Sequence, residues 1–242
     1  MNKLPARIIC CSFISIVLLS ACTVNNQKPA DSIVTGAIGK KLDTLLTPHI
    51  QRIIKSYDLP GLAIGVVKDE GIIYAKAFGY LSIETKEPVK LTSLFHMASI
   101  SKPFVATAIM QLVEENRINL DSTVVSYLPY FQLDDERYRE ITIRQMLNHI
   151  SGMTDVQDYE WDKPVYSQEA LERYVRSISS EKMRDAPGKS FAYSNMAFEC
   201  LGDVIAKVSG LPFADYVKEN ILDPSGIPSS YFPVRKPDAS GL

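Results

Sequence analysis

Two apolar, β-prone runs, "LAIGVV" at 62–67 and "IIYAKAF" at 72–78, flank a "KDEG" stretch. Such spacing predicts an antiparallel hairpin with Gly71 in its turn. Everything from about residue 101 onward reads as helix or loop, down to the closing "KPDASGL". A lone two-stranded hairpin is marginal in water, and its unpaired edges invite association. The chain must therefore cover the hairpin with helices or complete it with strands that its later part does not supply.

The helical signals are strong. Ile38, Leu42, Leu45, Leu46, Ile50, Ile53 and Ile54 recur at helical spacing until "LPG" at 59–61 stops the run. A second helix begins near residue 101, with Pro103 tolerated in its first turn and Val105, Ile109, Leu112 and Val113 along one face. "TIRQMLNHISG" at 142–152 predicts a short helix capped by Thr142, with Gly152 beyond its end. Further helices are expected over 167–178, around Leu201, Val204, Ile205 and Val208 as far as Gly210, and over 212–222 before Pro224. A chain of 242 residues with 46% hydrophobic and 22% charged residues can bury a sizeable globular core. Its net charge of −2 and lack of a basic block argue against a nucleic-acid partner.

The N-terminus has another character. Lys3 and Arg7 precede an apolar run from Ile8 to Leu19, too short to span a bilayer but with the anatomy of a secretory signal. The "LSAC" at 19–22 resembles the lipobox of bacterial lipoproteins, which implies cleavage after residue 21 and acylation of Cys22; a plain signal peptide with a chance cysteine is the alternative. Two or more acyl chains anchor stably where one binds marginally. Thr23 follows the cysteine, with no aspartate of the kind tied to inner-membrane retention in enteric bacteria, so the expected place is the cell envelope, at the outer membrane and facing the periplasm. The expected division is a signal over 1–21, a polar tether over 22–37 and one domain over 38–242. With Cys10 and Cys11 in the signal and Cys22 lipidated, Cys200 is left without a disulfide partner.

The chemistry concentrates at two places. In "HMASISKPFVATAIMQLVEE" at 96–115, Ser99 and Lys102 stand three residues apart where a helix begins. Ser99 could simply cap that helix. Alternatively, positions i and i+3 share a face, so the hydroxyl and amine can meet as nucleophile and base. A helix N-terminus and partial burial both disfavour an ammonium, and the helix N-terminus also favours an anion at an attacked carbonyl. The pattern alone is weak, because Ser179 and Lys182 in "SSEK" also match it; that second pair opens no apolar helix and reads as solvated surface. Tyr193 and Asn195 in "FAYSN" follow a Pro-Gly turn able to hold a short segment beside a pocket. A phenol near a lysine can shuttle a proton and an amide can orient both lysine and substrate, although Tyr193 could equally be a half-buried loop residue.

The remaining candidates are weaker. His49, His96 and His149 show no metal-ligand spacing, and a structural or capping role is expected for each; no metal and no cofactor are expected. Cys200 reads as core. Trp161 falls in a loop that could border a pocket or serve as a packing anchor. No nucleophile elbow, dinucleotide fingerprint or P-loop occurs.

Taken together, "DLPGLAIGVVKDEGIIYAKAFGY", "LFHMASISKPFVATAIMQLVEENRINLDSTVVSYLP", "ITIRQMLNHISGM" and "APGKSFAYSNMAFECLGDVIAKVSG" resemble, in order, the β-lactamase and penicillin-binding superfamily, above all its class C β-lactamase-like branch of serine hydrolases and esterases. The resemblance covers roughly residues 40 to 230. It implies an α/β (α+β) fold of the β-lactamase/transpeptidase type, with an antiparallel sheet flanked by helices and a helical subdomain. It assigns Ser99 as acyl-accepting nucleophile, Lys102 as general base, Tyr193 as proton donor to the leaving group and Asn195 as the residue positioning substrate and lysine. The Ser99 N–H would supply half of an oxyanion hole. The family's third motif, Lys-Thr-Gly or His-x-Gly on a pocket strand, is absent, and "KVSG" at 207–210 is one residue too long. The resemblance thus implies a longer protein whose C-terminal strands this chain lacks.

The expected function is that of a lipid-anchored envelope serine hydrolase working through an acyl-Ser99 intermediate on β-lactams, D-amino-acid peptides or esters. The partners are a small-molecule or peptide substrate and, through the lipid, a membrane. The rival expectation is a non-catalytic remnant or a binding lipoprotein, because the third motif is missing.

Overall fold

The computed structural model describes residues 32–157, 159, 163, 165–227 and 229–232. The signal segment, Cys22, most of the expected tether and Trp161 lie outside the described residues. The architecture is mixed α/β, and the chain divides after Ser93 into two compact units.

The first unit is an antiparallel sheet with one helix. Strands β1 (Ser32–Val34), β2 (Gly61–Lys68) and β3 (Gly71–Gly79) run in the order β1-β3-β2, with helix α1 (Gly36–Ser56) between the first two in sequence. The expected hairpin is present, its reversal made by Asp69 and Glu70, with Asp69 in the left-handed region at φ 53°. The expected tether is corrected at its C-terminal end. Ser32, Ile33 and Val34 pair with Lys76, Ala75 and Tyr74, so the polar lead-in becomes a third strand. Three residues are too few to show an alternating pattern, and the segment owes its conformation to the open edge of β3 rather than to its own period. Lys76 on β3 ties back to α1 through Asp43 at 2.8 Å and Thr47 at 3.2 Å. That contact holds the half-exposed Asp43 carboxyl below its ordinary range, mainly through the hydrogen bond from Lys76.

The second unit is helical, and its axis of organisation is α5. Helices α2 (Ser101–Glu114), α3 (Ile143–Leu147), α4 (Ala170–Ser177) and α6 (Phe213–Val217) all pack against α5 (Asn195–Ser209). Most of α5 is apolar on every side: Met196, Ala197, Phe198, Cys200, Leu201, Val204 and Ile205 are all buried. A helix apolar all round belongs inside a protein, and its neighbours supply the matching surface. Val105, Ala108, Ile109 and Leu112 of α2 join the same core, as the helical spacing predicts. Each large aliphatic side chain so buried contributes on the order of 1.5–3 kcal/mol. Cys200 is free and fully buried in this core.

Helix boundaries reflect specific end contacts. Thr142 accepts from the Gln145 N–H while the Gln145 side chain accepts from the Thr142 N–H, a reciprocal cap that starts α3 as expected. The helix stops at Leu147, short of the expected glycine, because Asn148 and then His149 leave the helical region, His149 at φ 55°. The expected helix over 212–222 is split into α6 and a π-helical turn, Lys218–Leu222, and the helix expected from 167 begins at Ala170. Gly210, at φ 79°, ends α5 where the sequence places its stop.

Gly152 is the tightest point in this unit. It holds φ 78°, and a Cβ there would collide with the backbone oxygen of Asp185. Gly152→Ala combines left-handed strain with a steric clash against main chain that cannot swing away. The substitution should destabilise the chain by about 2 kcal/mol or more and lower its melting temperature by several degrees. A calorimetric melt of Gly152→Ala beside the unaltered protein measures this, and an unchanged midpoint would contradict the packing described.

Candidate active site

Ser99 sits in a single 3₁₀ turn, Ala98–Ile100, immediately before α2. It does not cap that helix: the cap position is Ile100, without a side-chain cap bond. The turn is aimed by Ala98, a non-glycine residue at φ 44°, which leaves Ser99 exposed beside the first residues of α2. Lys102 is one helical turn on and half-buried, its Nζ 3.4 Å from Ser99 Oγ. The reach from residue 99 to residue 102 runs across the junction of turn and helix.

Tyr193 and Asn195 arrive from the start of α5. Ser194 caps that helix, accepting from the Ala197 N–H at 3.1 Å while its own hydroxyl donates to the Thr154 carbonyl at 2.7 Å. This double anchor fixes the residues on either side of it. Tyr193 Oη lies 2.6 Å from Ser99 Oγ, and Asn195 Oδ1 accepts a hydrogen bond from Lys102 Nζ. All four residues singled out in the sequence therefore converge on one point, while neither Ser179 nor Lys182 is among the residues lining the cavity there.

Sequence reasoning missed the groups that hold these four in place. Asp155 accepts from the Asn195 backbone N–H at 2.7 Å and from its side-chain amide at 3.2 Å, and Tyr159 Oη accepts from the same amide. With its NH₂ committed to acceptors, the Asn195 amide can only turn its oxygen to Lys102. His149, read from sequence as a structural or capping residue, stacks on Tyr193 with ring centroids 4.5 Å apart and an interplanar angle of 30°. Its Nδ1 accepts from the Ser194 N–H at 3.2 Å. Nothing in the spacing of Asp155 or His149 signals these contacts, because both reach α5 from a distant loop.

The electrostatics arise from this arrangement. Desolvation pushes the Tyr193 phenol up, but the hydrogen bonds from Lys102 and Ser99, with the charge of Lys102, outweigh it and hold the phenol below the ordinary tyrosine range. Lys102 Nζ also stands over the Tyr193 ring, 4.8 Å from its centroid. Burial lowers His149 below the usual histidine value, and the charge of Lys102 lowers it further against an opposing pull from Asp155.

Around Ser99 and Lys102 opens a cavity of about 600 Å³, whose further walls include Phe198, Glu199, Phe213 and Phe232. Its size suits a small-molecule or short peptide ligand.

Comparison with known proteins agrees with this geometry. Residues 46–242 match the family model described as Beta-lactamase, and the chain belongs to that family. Penicillin-binding protein 4* of Bacillus subtilis (strain 168) is 34% identical over 161 residues, covering 64% of this chain and 34% of that protein. Protein flp of Staphylococcus aureus (strain MW2) is 29% identical over 186 residues, 76% of this chain and 36% of that protein. The chain thus spans about a third of the length of these relatives. Among solved structures, EstCE1, a hydrolase with promiscuous acyltransferase activity, is 28% identical at a TM-score of 0.68, covering 77% of this chain and 52% of that one. The octameric penicillin-binding protein homologue from Pyrococcus abyssi is 30% identical at 0.65, covering 79% and 43%. A class C β-lactamase shares the fold at 0.65 with 22% identity, covering 77% and 49%.

His149 gives a test of the site's support. A histidine whose folded value is depressed binds fewer protons folded than unfolded, so the stability it contributes is present above the unfolded value, about 6.5, and is lost as pH falls through the folded one. His149→Phe keeps the stacking surface but removes the acceptor for the Ser194 N–H, at a cost of about 1 kcal/mol near pH 7.5. Melting curves of both proteins at pH 7.5 and pH 5 should show the variant's deficit shrinking in acid. A constant gap would mean that His149 does not titrate against this contact.

Proposed function

We propose that this chain carries the acylating half-site of a cell-envelope serine hydrolase, with Ser99 as nucleophile. The observation that carries the proposal is the 2.6 Å contact between Ser99 Oγ and Tyr193 Oη, with Lys102 Nζ 3.4 Å from the same oxygen. An activated nucleophile needs a base within hydrogen-bond reach and a third group that orients the base. Tyr193 fills the first role and Lys102 the second. The distances favour Tyr193 as the immediate acceptor of the Ser99 proton, a shift of emphasis from the base role expected of Lys102.

The steps balance simply. Tyr193 Oη takes the Ser99 proton as Oγ forms its bond to the substrate carbonyl carbon, leaving a tetrahedral oxyanion. Collapse breaks the bond to the leaving group, which receives the proton from Tyr193. Water then attacks the acyl-Ser99 carbonyl, losing a proton to the Tyr193 phenolate, and Tyr193 returns that proton to Ser99 Oγ as the bond to the acyl group breaks and the acid departs. Lys102 keeps the phenol's proton affinity low through both halves, and Asn195 keeps Lys102 in place. Substrates of the proposal are β-lactams, D-amino-acid peptides or esters, the fold alone choosing none of them.

The envelope location is part of the same proposal and rests on the signal-like residues 3–19 and the "LSAC" at 19–22. Expression in a bacterium fed a radiolabelled fatty acid should label the protein, and Cys22→Ser should remove the label. Label retained in that variant would overturn the anchor at Cys22.

The catalytic proposal is tested by intact-mass analysis after exposure to a fluorophosphonate. One adduct should form, be absent in Ser99→Ala and form about 10²–10⁴-fold more slowly in Tyr193→Phe. The rate in the unaltered protein should rise with pH and level off below the ordinary tyrosine value of about 10, since the form that accepts a proton predominates above a depressed value. Absence of any adduct in a chain that melts cooperatively would favour the binding-lipoprotein alternative.

A further inference from the structure

Glu199 is a charged residue that the site described above does not use. It stands four residues after Asn195 on α5, so both project from one face of the helix, with side-chain origins about 6 Å apart. Its side chain is a wall of the cavity that contains Ser99 and Lys102. Unlike Asp155, it makes no hydrogen bond and no ion pair with any described residue. Solvent reaches Glu199, yet protein crowds it on most sides, the situation of a group on a concave wall. Desolvation accordingly raises its carboxyl above the ordinary range, with only the charge of Lys102 opposing.

The neighbouring walls are aromatic. Phe198, Phe213 and Phe232 line the same cavity, the last two packed edge to face at 4.9 Å. Ring faces attract a cation, and a carboxylate left short of partners in such a setting gains most from a positively charged ligand. A carboxylate gathered in to steady Lys102 would be bonded to it. Here that bond is made by Asn195, and Glu199 is left to face the cavity.

We propose that Glu199 with the Phe213 and Phe232 rings forms a subsite for a protonated amine, so that the substrate carries an ammonium group on the side of its scissile carbonyl that faces this wall. The proposal rests on the reading of Ser99 as the acylated residue and narrows its substrates to amine-bearing esters, amides or peptides. Glu199 acts here as a specificity-determining residue and takes no part in proton transfer.

Two measurements separate this subsite from the catalytic reading. The first uses the full chain and p-nitrophenyl 6-aminohexanoate beside p-nitrophenyl heptanoate, matched in length and differing in charge. The amine should be favoured about tenfold in kcat/KM, mainly through KM, and Glu199→Gln should bring the two to parity by removing the amine's advantage in KM. A variant that slows both esters equally would make Glu199 a partner of Lys102 and overturn the subsite. The second needs no turnover: saturation-difference NMR of Ser99→Ala with 6-aminohexanamide and heptanamide. Preference for the amine, lost in Ser99→Ala/Glu199→Gln and reversed to exclusion in Ser99→Ala/Glu199→Lys, supports the subsite even if fluorophosphonate fails to label the unaltered chain, a failure that would instead overturn the nucleophile. Equal binding of the two amides, no binding of either, or a preference that survives Glu199→Gln would overturn the subsite even if Ser99 is labelled.

Discussion

The site hangs on the side chain of Asn195. The lysine amine beside the serine hydroxyl donates to the Asn195 oxygen as well as to Ser99, and that oxygen faces Lys102 because Asp155 and Tyr159 take the amide's hydrogens. An asparagine left free would present either end with nearly equal ease. Asp155 also accepts from the Asn195 backbone, so the first residue of α5 is fixed at main chain and side chain together. The separation of Ser99 and Tyr193 is thereby set from two sides, one reaching it through Lys102 and the other through the start of α5.

That start is rigid because the body of α5 is locked into the core. The helix is surrounded by α2, α3, α4 and α6, and its buried residues form much of the second unit's interior. The same two helices that exchange apolar surface, α2 and α5, contribute Lys102 and Asn195. Packing energy and site geometry are therefore not separate properties here. A core built this way holds Lys102 and Asn195 on helices, where main-chain hydrogen bonds restrict drift, and sets Ser99 and Tyr193 just before the starts of those helices. Even the buried Asp203 in α5 is accommodated: its carboxylate accepts from the Tyr130 hydroxyl at 2.8 Å, and burial pushes its carboxyl above the ordinary range.

Much of this is legible in the chain itself. Helical spacing in Val105, Ile109 and Leu112 and again in Leu201, Val204 and Ile205 marks the two central helices, because period and burial are one signal. Ser99, Lys102, Tyr193 and Asn195 stand out because their residue types are chemically demanding and closely spaced in pairs. Asp155 and His149 do not, since a loop reaching across to α5 leaves no periodic trace and depends on the tertiary fold. Strand β1 escapes for a different reason: three residues carry too little pattern, and their partner supplies the structure. Glu199 stands between these cases, since its four-residue offset from Asn195 is visible but has no meaning until a cavity lies in front of it.

The turn that carries Ser99 contains a strained residue. Ala98 holds a left-handed backbone at φ 44°, a conformation that costs an alanine roughly 1–2 kcal/mol and persists only while its surroundings impose it. Those surroundings are the first turns of α2, whose own anchorage lies deeper, at Val105, Ala108, Ile109 and Leu112. Warming loosens a helix end before it loosens a helix centre. The turn is then free to relax toward ordinary backbone angles and carry Ser99 away from Tyr193 while the core is still intact. The spacing of Ser99 and Tyr193 therefore depends on what surrounds one alanine as well as on the hydrophobic core.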